Sequence, residues 1–264
     1  MPKVTRPKIK PLKRRRGGGR ALSVPERPAR GRKGIYILPN LFTTAGLFAG
    51  FYAIVQATKG HYEPAAVAIF IAMIMDGLDG RVARLTHTAS DFGTEYDSLT
   101  DMVSFGLSPA LVIYEWALYS RGKLGWLAAF LYVAAVALRL ARFNTQQHHD
   151  PRYFQGLPSP AGAALVAATV WVIDSYGMPG EGWGLAALVF TILVAGAMVS
   201  NLPYRSFKDL DLKDRVPFVA LLAVVLILVV VSFDPPRVLF LIFALYFLSG
   251  PLTGLGRLRR GRAA

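Results

Sequence analysis

Apolar residues in this chain come in long runs without a charge, rather than in the alternation of a half-buried sheet. Gly34–Thr58, Tyr153–Ile173, Gly182–Tyr204, Val216–Phe233 and Val238–Gly256 contain no Asp, Glu, Lys or Arg. Each reaches or exceeds about 18 residues, enough for a helix to cross bilayer hydrocarbon. Leu124–Leu138 is shorter and runs into Arg139, while Pro64–Met75 and Met102–Tyr114 become long enough only if the acidic residues beside them are helical too. The pattern predicts eight helices, near 40–58, 62–84, 94–119, 123–144, 159–176, 182–200, 216–233 and 236–252. That is an all-α, polytopic integral membrane bundle, and an even number of crossings puts both termini on one side.

Composition sharpens this. The 264 residues are 53% hydrophobic and 17% charged, yet the formal net charge is +14. Met1–Lys33 holds 13 Lys/Arg against Glu26 alone, and Arg257–Arg262 adds four bases and no acid. The body between them carries 13 bases and 15 acids, so it is close to neutral. A basic globular nucleic-acid binder is excluded, and no nucleic-acid partner is expected. The chain divides into a basic arm (1–33), a membrane-embedded domain (34–256) and a basic tail (257–264). The arm is rich in Pro, Gly and Arg and is expected to be disordered, lying against anionic lipid headgroups. It lacks the apolar core of a secretory signal. With these helices, 26 of the 30 Lys/Arg fall on the side of the termini; Lys59, Arg121, Lys123 and Arg237 fall on the other. The positive-inside rule makes the termini cytoplasmic. Without cysteine there is neither a disulfide framework nor a thiolate site.

The chemistry lies in the minority acids. Asp76 and Asp79 are three apart at the inner end of the second helix, and Asp97 and Asp101 four apart near the start of the third. Each pair therefore shares a helical face, and the short connection lets the two faces oppose each other across a cleft. Carboxylates at membrane depth are costly unless compensated. Cations are one compensation, and oxygen-only ligation selects hard ions, Mg²⁺ or Mn²⁺. Two such ions can bridge a diphosphate. Ion pairing with Arg81, Arg84, Arg139 and Arg142 is the other. Gly80, Ala83 and Gly93 are small enough for a base or phosphate to approach the backbone, and Arg84 can fork onto a phosphate.

Asp76-x-x-Asp79-Gly80-x-x-Ala83-Arg84, eight residues, Gly93-x-x-x-Asp97-x-x-x-Asp101 resembles the signature of the CDP-alcohol phosphotransferases at every fixed position. The resemblance implies that a hydroxyl attacks the lipid-linked phosphorus of a CDP-activated substrate and CMP leaves. It implies that Asp76, Asp79, Asp97 and Asp101 bind metal, and that Asp101 is also the base toward the attacking alcohol. It places Asn40, Thr43 and Ser90 at the nucleotide lipid; Asn40 as a helix cap is the plainer alternative. A homodimer is implied as well.

Further segments resemble one branch of that family, the membrane-embedded phosphatidylserine synthases. They are Asp97–Ala110, Arg139-Leu-Ala-Arg142-Phe-Asn144, Gly156-Leu-Pro158-Ser-Pro160-Ala and Val199–Lys208. CDP-diacylglycerol and L-serine are then the expected substrates. Arg139, Arg142 and Asn144 end the fourth predicted helix level with the aspartates, where the arginines can address a phosphate or a carboxylate; snorkelling to headgroups would place them there equally. Ser159-Pro160 opens the next helix as a cap and first turn. Arg205 and Lys208 lie in an amphipathic stretch that borders the pocket or rests on the membrane surface. Another acceptor (glycerol 3-phosphate, inositol phosphate or choline) is the alternative within the family, and an ion-coupled transporter the alternative outside it.

Overall fold

Residues 37–86, 90–145, 153–205 and 218–261 are described by a computed structural model. Seven of the predicted stretches are helices: α1 (Ile37–Thr58), α2 (Tyr62–Thr86), α5 (Lys123–Thr145), α6 (Ser159–Ser175), α7 (Gly184–Val199), α8 (Phe218–Phe233) and α9 (Pro235–Gly261). The third predicted helix is continuous but contains a wider turn. It consists of α3 (Asp91–Asp101), a π-helical segment (Met102–Leu107) and α4 (Ser108–Trp116). Among the described residues, four stretches are long and apolar enough to cross a membrane: Leu38–Thr58, Lys123–Thr145, Gly180–Val199 and Pro235–Gly254. Large apolar side chains such as Phe48, Phe51, Phe130, Leu131 and Leu193 face outward, as they do where lipid is the solvent. The protein is a helical membrane protein. The arm at residues 1–33, Lys208 and residues 262–264 lie outside the described residues.

The core is built of small side chains. Ala49, Ala53 and Ala57 on α1 meet Ala65, Ala66, Ala68 and Ala72 on α2, and Gly162–Ala168 of α6 is buried without interruption. Close backbone approach is the main source of helix association where lipid removes the hydrophobic drive. It also lets hydroxyls reach backbone: the Ser104 and Ser108 side chains donate to the carbonyls of Gly46 and Gly50, at 3.1 and 2.7 Å.

Two internal prolines show how the bundle tolerates broken helical bonds. Pro109 has no N–H for the carbonyl of Phe105, four residues earlier. That carbonyl accepts instead from the buried Tyr132 hydroxyl of α5, at 3.2 Å. Next to it the ladder widens, and the Ser108 N–H bonds to Val103, five residues back. Pro251 of α9 likewise deprives Phe247, whose carbonyl accepts from the buried Tyr204 hydroxyl at 3.2 Å. In each case a tyrosine from a neighbouring element replaces the missing donor, as membrane helices require.

The all-helical expectation needs one amendment. β1 (Tyr153–Gln155) and β2 (Pro203–Arg205) form an antiparallel pair with Phe154 opposite Tyr204. Leu157 and Leu202 precede prolines, which disfavours helix at both. Gly156, at φ 76°, turns the chain against the carbonyls of Met198 and Ser200. At the ends, α1 begins at Ile37 rather than near 40, and the α9 backbone stays helical to Gly261 beyond the predicted stop at 252.

Candidate active site

The carboxylates come from two helices that meet at one end of the bundle. Asp76 and Asp79 lie in the last three turns of α2, and Asp97 and Asp101 in the second half of α3. Ser90 starts α3: its backbone is extended and its side-chain oxygen accepts the Gly93 N–H at 3.0 Å, which fixes the helix entry. Helix α1 closes the front. Asp79 is buried, and the Thr43 hydroxyl donates to its Oδ2 at 2.8 Å. Asn40, Thr43, Asp79, Gly80, Ala83, Ser90, Gly93 and Asp97 line one cleft of about 150 Å³, together with Pro39 and Thr94. Behind it Asp76 and Asp101 join Thr43, Asp79 and Asp97 around a narrower gap.

One carboxylate oxygen from each of Asp76, Asp97 and Asp101 falls within a set no more than 4.8 Å apart. A hard cation held at about 2.0–2.6 Å from each oxygen fits that spacing. Asp97 Oδ1 is buried and has no hydrogen-bond partner, an arrangement a cation relieves. Ion pairing does not account for the cluster: among the described residues the ion pair found is Arg237–Asp234, on α9. The donor set is all carboxylate and suits a divalent metal.

The arginines of α5 diverge. Arg139 is largely enclosed, within electrostatic range of Asp101; it donates to Ser159 Oγ at 3.1 Å, and its Nε has no partner. Arg142, three residues on, donates to Gln155 and Asn201, at 2.8 and 2.7 Å. It thereby ties α5 to the chain around the β1–β2 pair. Asn144 donates to Ser98 of α3 at 3.0 Å.

This geometry places Arg84 and Arg205 and corrects the two capping expectations. Arg84 is exposed and donates along its own helix to the Gly80 carbonyl, at 2.9 Å. Asn40 is the fourth residue of α1, so it does not cap that helix. Ser159 makes no capping bond; its hydroxyl is the acceptor for Arg139. Arg205 lies on β2, exposed, with its carbonyl accepting from Tyr246 of α9 at 3.2 Å. Thr94, Ser98, Gln155 and Asn201 were not singled out from the sequence. Thr94 and Ser98 do share the helical spacing of Asp97 and Asp101, whereas Gln155 and Asn201 are brought in only by the strand pair.

A family model described as CDP-alcohol phosphatidyltransferase matches residues 36–200. The chain belongs to the CDP-alcohol phosphatidyltransferase family. Its match spans every residue of the carboxylate cluster and ends before β2, α8 and α9. Family relatives named CDP-diacylglycerol–serine O-phosphatidyltransferase are similar over most of their length. The one from Helicobacter pylori is 38% identical, over 84% of this chain and 92% of its own. That of Mycobacterium tuberculosis is 37% identical, over 75% and 71%. That of Methanocaldococcus jannaschii is 36% identical, over 67% and 79%.

Proposed function

We propose that the protein transfers a phosphatidyl group from CDP-diacylglycerol to the hydroxyl of L-serine, giving phosphatidylserine and CMP. The observation that carries this reading is the carboxylate cluster of Asp76, Asp97 and Asp101, suited to metal, with Arg139 of α5 within electrostatic range of Asp101. A nucleotide lipid needs metal-held phosphates; an amino-acid acceptor needs a base for its hydroxyl and a cation for its carboxylate. Both needs are met within one site, and the relatives named above carry that activity in their names.

In the reaction the serine oxygen attacks the phosphorus that bears diacylglycerol. A new P–O bond forms, and the bond from that phosphorus to the oxygen bridging to CMP breaks. CMP leaves with the electron pair, and the hydroxyl proton passes to the Asp101 carboxylate, as general-base catalysis requires. Asp76, Asp79, Asp97 and Asp101 would hold Mg²⁺ or Mn²⁺, two ions in this reading, which when bound neutralise the diphosphate and the charge of the leaving group. Thr43 orients Asp79. Asn40, Ser90, Gly80, Ala83 and Gly93 shape the cleft for the cytidine diphosphate. Arg139 addresses the serine carboxylate, with Arg142 and Asn144 holding α5 in place.

The same reading has eight crossings, both termini and the cleft on the cytoplasmic side, and a homodimer in the cell membrane. The basic arm and tail sit at anionic lipid headgroups there. The four acids gather at one end of the bundle rather than at mid-membrane, where transport sites lie, which disfavours the transporter reading. Asp101→Asn tests the assignment of the base. We expect CMP release to fall at least about 10²-fold while CDP-diacylglycerol still binds; normal turnover in the variant would remove Asp101 from that role.

A further inference from the structure

Six side-chain hydroxyls of Ser and Thr are buried among the described residues: Thr43, Thr100, Ser104, Ser108, Ser159 and Thr191. Five of them are bonded. Thr43 donates to Asp79, Ser104 and Ser108 donate to carbonyls of α1, Thr191 donates to the carbonyl four residues back, and Ser159 accepts from Arg139. Thr100, at 5% exposure, has no hydrogen-bond partner. Buried hydroxyls are nearly always paired, and a helical threonine can bond the carbonyl one turn back, as Thr94 and Thr169 do. Thr100 does neither.

Thr100 follows Asp97 by three residues and directly precedes Asp101, so the three share one side of α3. It lines the narrow gap together with Asp76, Asp79, Asp97 and Asp101. That gap has no room for a free water, so solvent does not satisfy the hydroxyl there. Thr43, which lines the same gap, is already committed to Asp79. Packing against α1 fixes the Thr100 methyl: a Cβ on Gly46 would lie 3.7 Å from it, and Ser104, one turn on, donates to the Gly46 carbonyl at 3.1 Å. Asp97 Oδ1 is a second buried oxygen at this gap without a partner among the described residues. A cation satisfies both kinds of oxygen at once, since carboxylate and hydroxyl each offer it a lone pair.

We propose that Thr100 is a further metal ligand, its hydroxyl oxygen joining the carboxylates of Asp76, Asp97 and Asp101 around Mg²⁺ or Mn²⁺. This rests on the reading above, in which those carboxylates hold a divalent ion. Such ions take about six oxygen ligands or more, and threonine or serine hydroxyls serve them in other sites that handle phosphates. A neutral ligand has a particular use here. Four carboxylates already balance the charge of two divalent ions, so another acid would repel the diphosphate, whereas a hydroxyl adds an oxygen without adding charge.

The test is binding of Mn²⁺ alone to the full-length protein in detergent–lipid micelles, followed by the paramagnetic resonance signal of the free ion. The thermal midpoint is measured alongside, in EDTA and in Mn²⁺. Thr100→Val, which keeps the shape and removes the oxygen, should raise the Kd for Mn²⁺ at least about tenfold, as loss of a group supporting a metal site does. Thr100→Ser, which keeps the oxygen, should bind Mn²⁺ as the wild-type protein does. In EDTA the midpoint of Thr100→Val should equal or exceed that of the wild type, because the hydroxyl removed has no bond to lose. A threonine that only supports the fold would do the reverse, lowering the midpoint in EDTA and leaving the Kd alone. An unchanged Kd in Thr100→Val, an equal rise in Thr100→Ser, or a lower midpoint of Thr100→Val in EDTA would overturn the proposal. Failure of the metal reading looks different: the wild-type protein itself would bind no Mn²⁺, and the proposal would fall with it. Neither substrate is present, so the identity of the acceptor does not enter.

Discussion

At the scale of the residue, the contact between Thr43 and Asp79 is the most informative. Asp79 is the one aspartate of the four that is buried, at 5% exposure, and a hydroxyl from another helix meets its carboxylate at 2.8 Å. A bond of this kind to a charged group contributes about 1.5–3 kcal/mol, and removing the donor leaves a buried charge short of a partner. Thr43→Val should therefore lower CMP release about 10–100-fold, the usual cost of losing a group that orients a metal-binding carboxylate. Thr43→Ser should keep most of the activity. Activity kept in Thr43→Val but lost in Thr43→Ser would show that the methyl group, and not the hydroxyl, is what matters. The aspartates themselves were plain in the sequence from their spacing of three and four. The partners of the arginines were not. Arg84, Arg139 and Arg142 look alike as basic residues at helix ends, but one turns back along its own helix, one reaches Ser159 of α6 and one ties down a loop. Side-chain direction depends on which acceptor lies nearest in space, and spacing along the chain carries no information about that.

At the scale of the element, seven of the eight predicted helices run as single helices, because a predominantly apolar run in lipid has few alternatives. The eighth, over Asp91–Trp116, is continuous but holds the π-helical segment directly after Asp101. Extra-wide turns of this kind re-phase the side chains that follow them. Its cause is half visible in the sequence. Pro109 announces a missing donor, but the replacement, Tyr132, lies 27 residues away in the chain and only packing reveals it. Tyr132→Phe should lower stability by about 1–3 kcal/mol, the penalty for an unsatisfied buried carbonyl, seen as a fall of several degrees in the thermal midpoint. Pro109→Ala restores an N–H at position 109 and should recover part of that loss in the double variant. Full additivity of the two changes would contradict the account of the π-helical segment. The β1–β2 pair was missed for a related reason: three-residue strands flanked by Gly and Pro read as loop until a partner strand is found.

At the scale of the whole molecule, charge distribution is the main guide to orientation. The net charge of +14 belongs to the two ends, while the cleft is built from acids. If both ends are cytoplasmic, Ser23→Cys in this cysteine-free chain should react with a membrane-impermeant maleimide only after cells are opened. Lys59→Cys, in the turn between α1 and α2, should react from outside; the reverse pattern would invert the topology. Removing divalent metal with a chelator should abolish turnover, and Mg²⁺ or Mn²⁺ should restore it, since four clustered carboxylates without a cation repel the diphosphate they must hold. The family could be read from eight fixed positions and the chain's membership in it confirms that reading, whereas the segments that point to the acceptor alcohol are less distinctive. A panel of acceptors offered to the purified protein with CDP-diacylglycerol and Mg²⁺ or Mn²⁺ tests the central claim most directly. The account predicts CMP release with L-serine and none above background with glycerol 3-phosphate, inositol phosphate or choline; equal release with any of these would contradict it.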